Sequence, residues 1–331
     1  MNCPKCQSPV AADANFCEVC GAPLKTPTPA AEAAAHLDDC EGCGAGPDLI
    51  QEDGYCARCG LLRRHPERDH FEIEIPPRLG GVSDRGVKHF RNEDFIVGKD
   101  AAGVLIGVVC DGVSNSQGPD AASAAAAPVA GEALLARLAE PAADAEAAMK
   151  GAILQANAAV LATASGDAEQ KDPPSSTIIA AAVIPAGHSV EAVLGWLGDS
   201  RAYFIGANSE KQLTTDHSWL EEIVQSGKMT YAAAAKCRGS HAITRTLGGI
   251  PAEEGGEPDQ PSVIRYPLLE PGWLILCTDG LWNYAPELPV FATLVRRLST
   301  TGSPLELARE LVAWAKKQGG KDNVSVIAIA V

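Results

Sequence analysis

The sequence predicts an α+β protein: a β-sandwich flanked by helices on both outer faces, preceded by two small cysteine-containing units. Short apolar runs that suit strands follow one another through tight turns, as antiparallel neighbours do. Ala- and Leu-rich segments with helical spacing stand between groups of these strands, which favours helices layered on sheets. Eight of the 11 cysteines lie within the first 59 residues, and a chain of 331 residues is long enough for one large core besides.

The front of the chain repeats a small cysteine unit. Residues 1–25 hold two Cys-x-x-Cys pairs with ten residues between them, and residues 38–61 hold two more with twelve between. Each unit is too short to bury a core, so a cross-link or a metal must hold it together. The paired cysteines are Cys3, Cys6, Cys17, Cys20, Cys40, Cys43, Cys56 and Cys59.

Zinc is the predicted cross-link of each unit. Four thiolates arranged tetrahedrally around Zn²⁺ contribute about 10–16 kcal/mol of folding free energy to a unit of this kind. Disulfides or a redox-active Cys-x-x-Cys pair are the alternatives, and the lack of a secretion signal favours zinc. Both units resemble the short zinc ribbons found at bacterial protein N-termini, which implies two structural zinc ions.

Composition predicts the domain limits and argues against several partners. A Pro- and Ala-rich segment, 26–37, predicts a linker between the units, and a charged segment, 62–69, predicts a second linker before a large domain at 70–331. The formal net charge of −15 argues against nucleic acid or an anionic membrane as a main partner. The chain lacks an apolar run of membrane-spanning length and a signal peptide, so we expect a cytoplasmic protein. No pattern indicates the oligomeric state.

Apolar periodicity predicts the elements of the large domain in order. The predicted strands are 71–75, 95–97, 104–110, 175–184, 190–197, 202–205, 262–266, 273–277 and 324–331. The predicted helices are 121–140, 144–165, 217–228, 231–236, 286–298 and 304–317. The tight turn 198–201 joins two of the strands into a hairpin.

Three acids stand at the ends of three apolar strands. The run 103–112 reads GVLIGVVCDG and reaches Asp111, and the run 272–280 reads GWLILCTDG and reaches Asp279. Asp322 comes just before the last apolar run. A carboxylate beside a core is costly unless a cation or a donor meets it. The three acids therefore predict one shared site for hard divalent ions.

Six short motifs follow one another between residues 82 and 331. They are Asn92-Glu93-Asp94, Asp111-Gly112, Gly198-Asp199-Ser200-Arg201, Thr244-Arg245-Thr246-Leu247-Gly248, Thr278-Asp279-Gly280-Leu281 and Asp322-Asn323. In this order they resemble the metal-dependent Ser/Thr protein phosphatases of type 2C. The resemblance implies that family's helix-flanked β-sandwich, and hydrolysis of phosphoserine and phosphothreonine on proteins by a water activated between two Mn²⁺ or Mg²⁺ ions. The implied partners are phosphorylated proteins and a bacterial Ser/Thr kinase that the enzyme opposes. A phosphatase-like sensor or docking module and a phosphatase for a small metabolite are the alternatives.

The resemblance also implies a set of metal ligands, which form the catalytic centre. Asp111 bridges the two ions. The Gly112 carbonyl and Glu93 complete one side of the centre, and Asp279 and Asp322 complete the other.

Further roles are implied at the edge of this centre. Asp94 supports Glu93 or a bound water, and Asp199 holds a third, weaker ion. The alternative for Asp199 is a turn aspartate that caps backbone amides. His89 stands where family members often carry an arginine that grips the phosphate, and Lys88 and Arg91 are the neighbouring cations that can share this role.

Two more positions bear on catalysis. The loop 113–117 lacks the histidine that family members often carry there, so this loop supplies no side-chain acid for the leaving group, and a metal-bound water is one alternative source of that proton. Asp216 precedes a predicted helix, which favours a helix cap there over a catalytic role for His217.

Overall fold

The structure is a computed structural model that describes residues 2, 7–9, 39–40, 42–51, 55–61, 66–101, 103–140, 143–164, 172–186, 189–237, 239–240, 242–249 and 259–331. Contacts divide the chain into two compact units, Met1–His65 and Pro66–Val331. The four cysteines of the first predicted zinc unit, Cys3, Cys6, Cys17 and Cys20, and the predicted linker 26–37 lie outside the described residues.

The smaller unit has two turns of the same design. The backbone N–H of Gly44 donates to the Cys40 carbonyl, and that of Gly60 donates to the Cys56 carbonyl, both at 2.8 Å. Gly44 has a φ of 65° and Gly60 a φ of 70°, a region that a side chain disfavours. Buried Cys40 and Cys56 form the centre of this unit, with Ile50 packed against them. A 3-10 turn, Pro47–Leu49, links the two halves.

The larger unit contains two antiparallel sheets. Its described strands are β1 His70–Ile75, β2 Leu79–Asp84, β3 Asp94–Ala101, β4 Val104–Asp111, β5 Ile178–Ala186, β6 Ser189–Leu197, β7 Arg201–Gly206, β8 Glu210–Gln212, β9 Ser262–Leu268, β10 Gly272–Cys277 and β11 Val324–Ala330. One sheet has the order β1-β2-β11-β10-β7-β8, and the other has the order β3-β4-β5-β6-β9. Every pairing between these strands is antiparallel.

Helices cover the outer face of each sheet. The described helices are α1 Pro66–Asp69, α2 Pro119–Leu138, α3 Ala145–Leu161, α4 Trp219–Gln225, α5 Tyr231–Ala234, α6 Asp279–Trp282, α7 Leu288–Leu298 and α8 Pro304–Gln318. The helices α2 and α3 pack on the five-stranded sheet, and α6, α7 and α8 pack on the six-stranded sheet. A third apolar cluster fills the space between the sheets. The predicted β-sandwich with helices on both outer faces is confirmed.

The structure adds elements that the sequence patterns did not predict. Strand β2 contains Gly80 and Gly81, yet all six of its residues are buried. A Cβ at Gly80 would lie 2.1 Å from the backbone nitrogen of Leu305, so glycine lets α8 approach the sheet. The helix α1 belongs to the larger unit, whereas the sequence pattern assigned 62–69 to a linker. Strand β8 and the short helix α6 are further additions.

None of the helices in the described part of the chain is both long enough and apolar enough to span a membrane.

Candidate metal centre

Two of the predicted acids face each other across neighbouring strands. In the β3–β4 register Asp94 is the partner of Asp111, and the β4 residue of each of the seven pairs behind them is apolar or glycine. Strand β4 is buried from Val104 to Cys110. The Asp111 carbonyl accepts a hydrogen bond from the Thr177 N–H at 2.7 Å and one from the Ser176 hydroxyl at 2.9 Å. The strand that carries Asp111 is therefore fixed from both sides.

Asp279 and Asp322 lie at the adjoining ends of a second strand pair. Asp279 lies two residues after the end of β10 and begins α6, while Asp322 stands two residues before β11, the antiparallel partner of β10. A Cβ at Gly280 would lie only 1.8 Å from the Asn323 carbonyl oxygen, so glycine is required where the two chain segments meet. This contact brings the two acids to the same end of the six-stranded sheet.

Asp199 lies in the turn between β6 and β7. Gly198 has a φ of 100°, and a Cβ there would lie 2.6 Å from the side chain of Thr177. The Gly198 N–H donates to Nδ1 of His217 at 3.3 Å, and the His217 N–H donates to the Gly198 carbonyl at 2.9 Å. His217 therefore holds this turn. The prediction that Asp216 caps the following helix is wrong, because the N-cap of α4 is Ser218.

The acids act on one another electrostatically. Burial first, and then the charges of Asp94, Asp279, Asp322 and Asp199, raise the pKa of Asp111 well above its usual range. Burial, followed by Asp199 and Asp322, does the same for the pKa of Asp279. Burial also raises the pKa of Asp94 and that of Asp199 to about 7. Five carboxylates of the strand ends therefore form one electrostatic cluster.

This cluster fits divalent metal ions. The Asp94 carboxylate is fully buried, and its Oδ1 has no hydrogen-bond partner among the described residues, while its Oδ2 accepts the Thr278 hydroxyl at 3.1 Å. A buried carboxylate oxygen without a donor is costly, and a cation removes that cost. The donor set is made of carboxylate oxygens, which suit Mg²⁺ and Mn²⁺. The acids are spaced more widely than a closed metal site, since no three described carboxylates bring their oxygens within 4.8 Å of one another.

Glu93 is placed beside this cluster with its carboxylate already bonded. Its Oε1 accepts Nε of Arg91 at 3.0 Å and its Oε2 accepts the Ser114 hydroxyl at 2.6 Å. The Gly112 N–H donates to the Glu93 carbonyl at 3.1 Å, and a Cβ at Gly112 would lie 2.3 Å from the Pro119 carbonyl oxygen. Gly112 thus lies between Glu93 and the start of α2. That Glu93 and the Gly112 carbonyl are metal ligands remains a prediction.

The three candidate phosphate-binding cations differ in what they contact. His89 Nε2 lies 3.1 Å from Asp322 Oδ1. Arg91 is paired with Glu93 and, at 3.5 Å, with Asp120. Lys88 is exposed, and its ammonium has no ion pair with any described residue. Arg85, close to them in sequence, donates to the His89 carbonyl at 2.6 Å.

Asn323 is a structural residue of the site whose role the motif alone did not reveal. Its side-chain oxygen accepts the Glu93 N–H at 2.8 Å. Its side-chain nitrogen donates to the carbonyls of Arg85 and Arg91 at 2.9 and 3.0 Å. One amide thus ties the segment 85–93 to the end of β11, and only the contact across the fold identifies it.

Two other motif segments support the site from outside. Leu247 forms an antiparallel bridge with Ser176, which itself bridges to Gly112. Arg201 makes a bidentate ion pair with buried Asp216 at 2.7 and 2.8 Å and lies 3.5 Å from the ring centroid of Trp282. The indole N–H of Trp282 in turn donates to the Asp199 carbonyl. These contacts fix the turn that carries Asp199.

A separate cysteine cluster lies in the smaller unit. The sulfurs of Cys40, Cys43, Cys56 and Cys59 all lie within 4.8 Å of one another, which makes them the only group of metal-type ligands this close in the described part of the chain. Cys40 and Cys59 are 3.5 Å apart, and Cys43 and Cys56 are 3.6 Å apart, so these thiols are not disulfide-bonded. Sulfurs about 2.3 Å from a central zinc ion would have spacings of this size.

Comparison with known families agrees with both sites. A family model described as Protein phosphatase 2C matches residues 107–324, more than half of the chain. A second model, described as Double zinc ribbon, matches residues 3–60.

Individual relatives extend the comparison. The serine/threonine phosphatase stp of Listeria welshimeri is 30% identical over 139 residues, which cover 42% of this chain and 51% of that protein. The chain spans about half the length of the curated relatives it matches. The S. agalactiae serine/threonine phosphatase superposes with a TM-score of 0.63 at 23% identity, covering 79% of this chain and all of that one. The catalytic domain of the serine threonine protein phosphatase PstP, solved in complex with two manganese ions, gives a TM-score of 0.55 at 25% identity, covering 77% of this chain and 98% of that one.

Two face-to-face antiparallel sheets, outer helices and acids gathered at strand ends define a class of α+β proteins with a carboxylate metal centre. The family match shows that the chain belongs to the protein phosphatase 2C family and that a double zinc ribbon precedes that domain in the sequence.

Proposed function

We propose that this chain is a metal-dependent protein-serine/threonine phosphatase. The observation that carries the proposal is the cluster of five acids, Asp94, Asp111, Asp199, Asp279 and Asp322, at the ends of buried strands. Burial and the charges of neighbouring acids raise the pKa values of four of them, Asp94, Asp111, Asp199 and Asp279. A fold does not maintain such repulsion without a cation to offset it. The family match favours phosphate ester hydrolysis as the reaction at this cluster.

The chain's own residues have distinct proposed roles at the centre. Asp111, Asp279 and Asp322 hold two Mn²⁺ or Mg²⁺ ions, with Glu93 and the Gly112 carbonyl on the Asp111 side. Asp94 uses its unpartnered Oδ1 on an ion or on a water bound to it. When bound, the ions supply a water of lowered pKa as nucleophile and positive charge for the phosphoryl oxygens.

Phosphate is proposed to bind at the rim formed by Lys88 and His89. Lys88 is exposed and makes no ion pair with the residues that the structure describes, and His89 lies within hydrogen-bond distance of Asp322. Arg91 is proposed as a weaker contributor because Glu93 already binds its guanidinium. Asp199 is proposed as the ligand of a third ion, and His217 holds the turn that carries it through the backbone of Gly198.

Phosphorylated proteins are the proposed substrates. The relatives with similar sequences are a serine/threonine phosphatase and a protein phosphatase, which favours this class of substrate over a small metabolite. A bacterial Ser/Thr kinase is the proposed source of these phosphoproteins. The net charge of −15 keeps nucleic acid and anionic membranes as unfavourable partners.

The front of the chain is proposed to hold two structural zinc ions in the units 1–25 and 38–61, joined by the linker 26–37. The four thiols of the second unit support one of these ions directly. The phosphatase domain follows, with its start near residue 66–70. Free thiols in this number fit a reducing compartment, and we therefore place the protein in the cytoplasm.

Turnover of a phosphothreonine peptide tests this function. The purified chain should release phosphate when Mn²⁺ or Mg²⁺ is present, and a chelator should stop the reaction. A small phosphorylated metabolite at the same concentration should be hydrolysed more slowly. Hydrolysis that continues in a chelator would exclude the proposed metal chemistry, and no hydrolysis of any phosphopeptide with either metal would favour the sensor or docking alternative.

A further inference from the structure

We propose that a pocket beside the metal centre receives a basic residue of the protein substrate, within about two residues of the phosphoresidue, and that Asp172 selects it. The proposal rests on the phosphatase activity proposed above. It concerns which phosphoproteins are preferred, and it places no catalytic step in the pocket.

The pocket lies in the larger unit next to the end of β4. It has a volume of about 470 Å³, a size typical of sites that bind small ligands or a few side chains. Its walls come from three segments of the chain: the loop after Gly112, the loop before β5 and the segment before Leu247. The lining residues used below are Val113, Ser116, Asp172, Pro173, Ile243 and Thr246.

The pocket begins two residues from Asp111. The Val113 N–H donates to the Ser175 carbonyl at 3.0 Å, and the adjacent Ser176 hydroxyl donates to the Asp111 carbonyl. The pocket wall is thus fixed to the strand that carries a proposed metal ligand. Two residues of extended chain span about 7 Å, so a substrate that places its phosphate at the metals would reach the pocket with a side chain about two residues away.

The lining chemistry selects for a long cationic side chain. Val113, Pro173 and Ile243 offer apolar surface for an aliphatic stem. The Ser116 hydroxyl accepts the Ser175 N–H at 3.2 Å, so it already has a partner. Asp172 carries the only charged side chain among the residues found to line the pocket in the described part of the chain.

The backbone holds Asp172 in place while its carboxylate stays open. Its carbonyl accepts the Gln117 N–H at 2.9 Å, and it forms a parallel bridge with Ser116. Asp172 is exposed, and no described residue forms an ion pair with its carboxylate, so we expect it to meet a substrate cation.

A second carboxylate lies behind the opposite wall. Asp259 Oδ2 accepts the Thr246 N–H at 3.1 Å. Arg245 is the neighbouring cation, but it does not line the pocket, and its charge acts on His217. The local field at the pocket therefore favours a cation, in line with the negative charge of the whole chain.

Three phosphothreonine peptides test the proposal on the full chain with Mn²⁺. They are identical except for Arg, Ala or Glu at the positions two residues before and two residues after the phosphothreonine. Wild-type kcat/KM should favour the Arg peptide over the Ala peptide by about three- to tenfold, as expected for one partly exposed ion pair. Asp172→Asn should bring that ratio close to one, and Asp172→Lys should make the Glu peptide the preferred substrate.

The matched control is Asp100→Asn. Asp100 is an exposed aspartate near the far end of β3 from Asp94, paired only weakly with Arg78. It should change neither the ratio nor the rate on the Ala peptide. A wild-type ratio near one, or a ratio that Asp172→Asn leaves unchanged, would overturn the proposal while leaving the phosphatase activity intact. Absence of turnover on all three peptides would overturn the activity itself, and this proposal with it.

Discussion

Asp94 and Asp111 are direct partners in the β3–β4 register, so two carboxylates stand opposite each other where buried strands leave the core. Like charges in this position destabilise a pair of strands. Burial and the neighbouring acids raise the pKa of Asp111 well above its usual range, and burial raises that of Asp94 to about 7. The metal-free fold therefore retains protons that the unfolded chain releases.

The first prediction follows from this proton uptake. Between about pH 4 and pH 7 the folded state binds more protons than the unfolded state at Asp94 and Asp199, so their contribution to stability is present at low pH and is lost as the pH rises. Mn²⁺ replaces those protons. Thermal unfolding at pH 5.5 and pH 8.0 should thus show a larger stabilisation by Mn²⁺ at pH 8.0. An equal or larger shift at pH 5.5 would mean that these acids do not bind the metal.

The second prediction concerns His217, which holds the Asp199 turn. Its Nδ1 accepts the Gly198 N–H, which leaves Nε2, 2.9 Å from the Ser262 hydroxyl, to donate in the neutral tautomer. His217→Ala leaves the buried Gly198 N–H without its partner and should lower the free energy of unfolding by about 1–3 kcal/mol at pH 7. His217→Asn, whose side-chain oxygen can take the place of Nδ1, should lose less. Denaturant unfolding measures both, and equal losses would show that the hydrogen bond to Gly198 is unimportant.

The pH dependence of the same variant gives a third prediction. Burial, and then the charge of Arg245, lower the pKa of His217 to about 4. A histidine buried in neutral form contributes its full stability above its unfolded pKa of about 6.5 and loses it as the pH falls towards 4. The difference in stability between wild type and His217→Ala should therefore shrink from pH 7 to pH 5. A difference that grows over this range would indicate a protonated imidazole in the fold.

The fourth prediction compares two truncated chains that begin at Pro66 and at His70. The Arg68 guanidinium donates to the Ser123 hydroxyl and the Asp120 carbonyl at 3.2 Å and lies 4.6 Å from the ring centroid of Phe95. Both fragments should fold and keep phosphatase activity within a few-fold of the full chain. The fragment from His70 should be less stable by about 1–3 kcal/mol because it loses these contacts. Equal melting temperatures would show that α1 adds nothing to the larger unit.

The fifth prediction concerns the cysteine cluster. Without metal, burial raises the pKa of Cys59 to about 12. Burial also acts to raise the pKa of Cys56, but hydrogen bonds from the Cys59 and Arg58 backbone and from neighbouring thiols outweigh it and lower that pKa to about 7. When zinc is bound, all four sulfurs coordinate it as thiolates. Elemental analysis should find two zinc ions in the wild-type chain and one in Cys56→Ser. Cys237→Ser, in the larger unit, is the control that should keep both, and a Cys56→Ser protein with unchanged zinc would refute the site.

The strand-end acids were predictable because each follows or precedes a run of apolar residues. Asp111 and Asp279 end such runs, and the structure brings them into one electrostatic cluster. Strand β2 was not predictable in this way, because Gly80 and Gly81 weaken the strand pattern. Gly80 permits the close approach of α8, and a Cβ at Gly81 would meet the side chains of Ile73, Ile327 and Ile96, so both glycines answer to contacts between distant parts of the chain.

The hydrogen-bond and ion-pair partners of polar side chains could not be predicted from the sequence either. Arg91 was a candidate for phosphate, yet its guanidinium lies on Glu93. Asn323 was visible as a motif residue, but its hydrogen bond to the Glu93 N–H spans 230 residues. Asp216 was expected to cap a helix and instead pairs with Arg201. Residue type and spacing indicate which groups meet a metal, whereas the choice among competing donors depends on the packed fold.

Metal content and turnover of Asp111→Asn test the central claim most directly. Asp111 is the proposed shared ligand of both ions, and asparagine removes its charge without changing its shape or adding to the repulsion in the fold. At pH 7.5 the wild-type chain should bind two Mn²⁺ ions beyond its zinc and hydrolyse a phosphothreonine peptide. Asp111→Asn should remain folded, lose Mn²⁺ binding and lower kcat by about 100-fold or more. A folded Asp111→Asn protein that binds both Mn²⁺ ions and turns over at the wild-type rate would contradict the assignment of this metal centre.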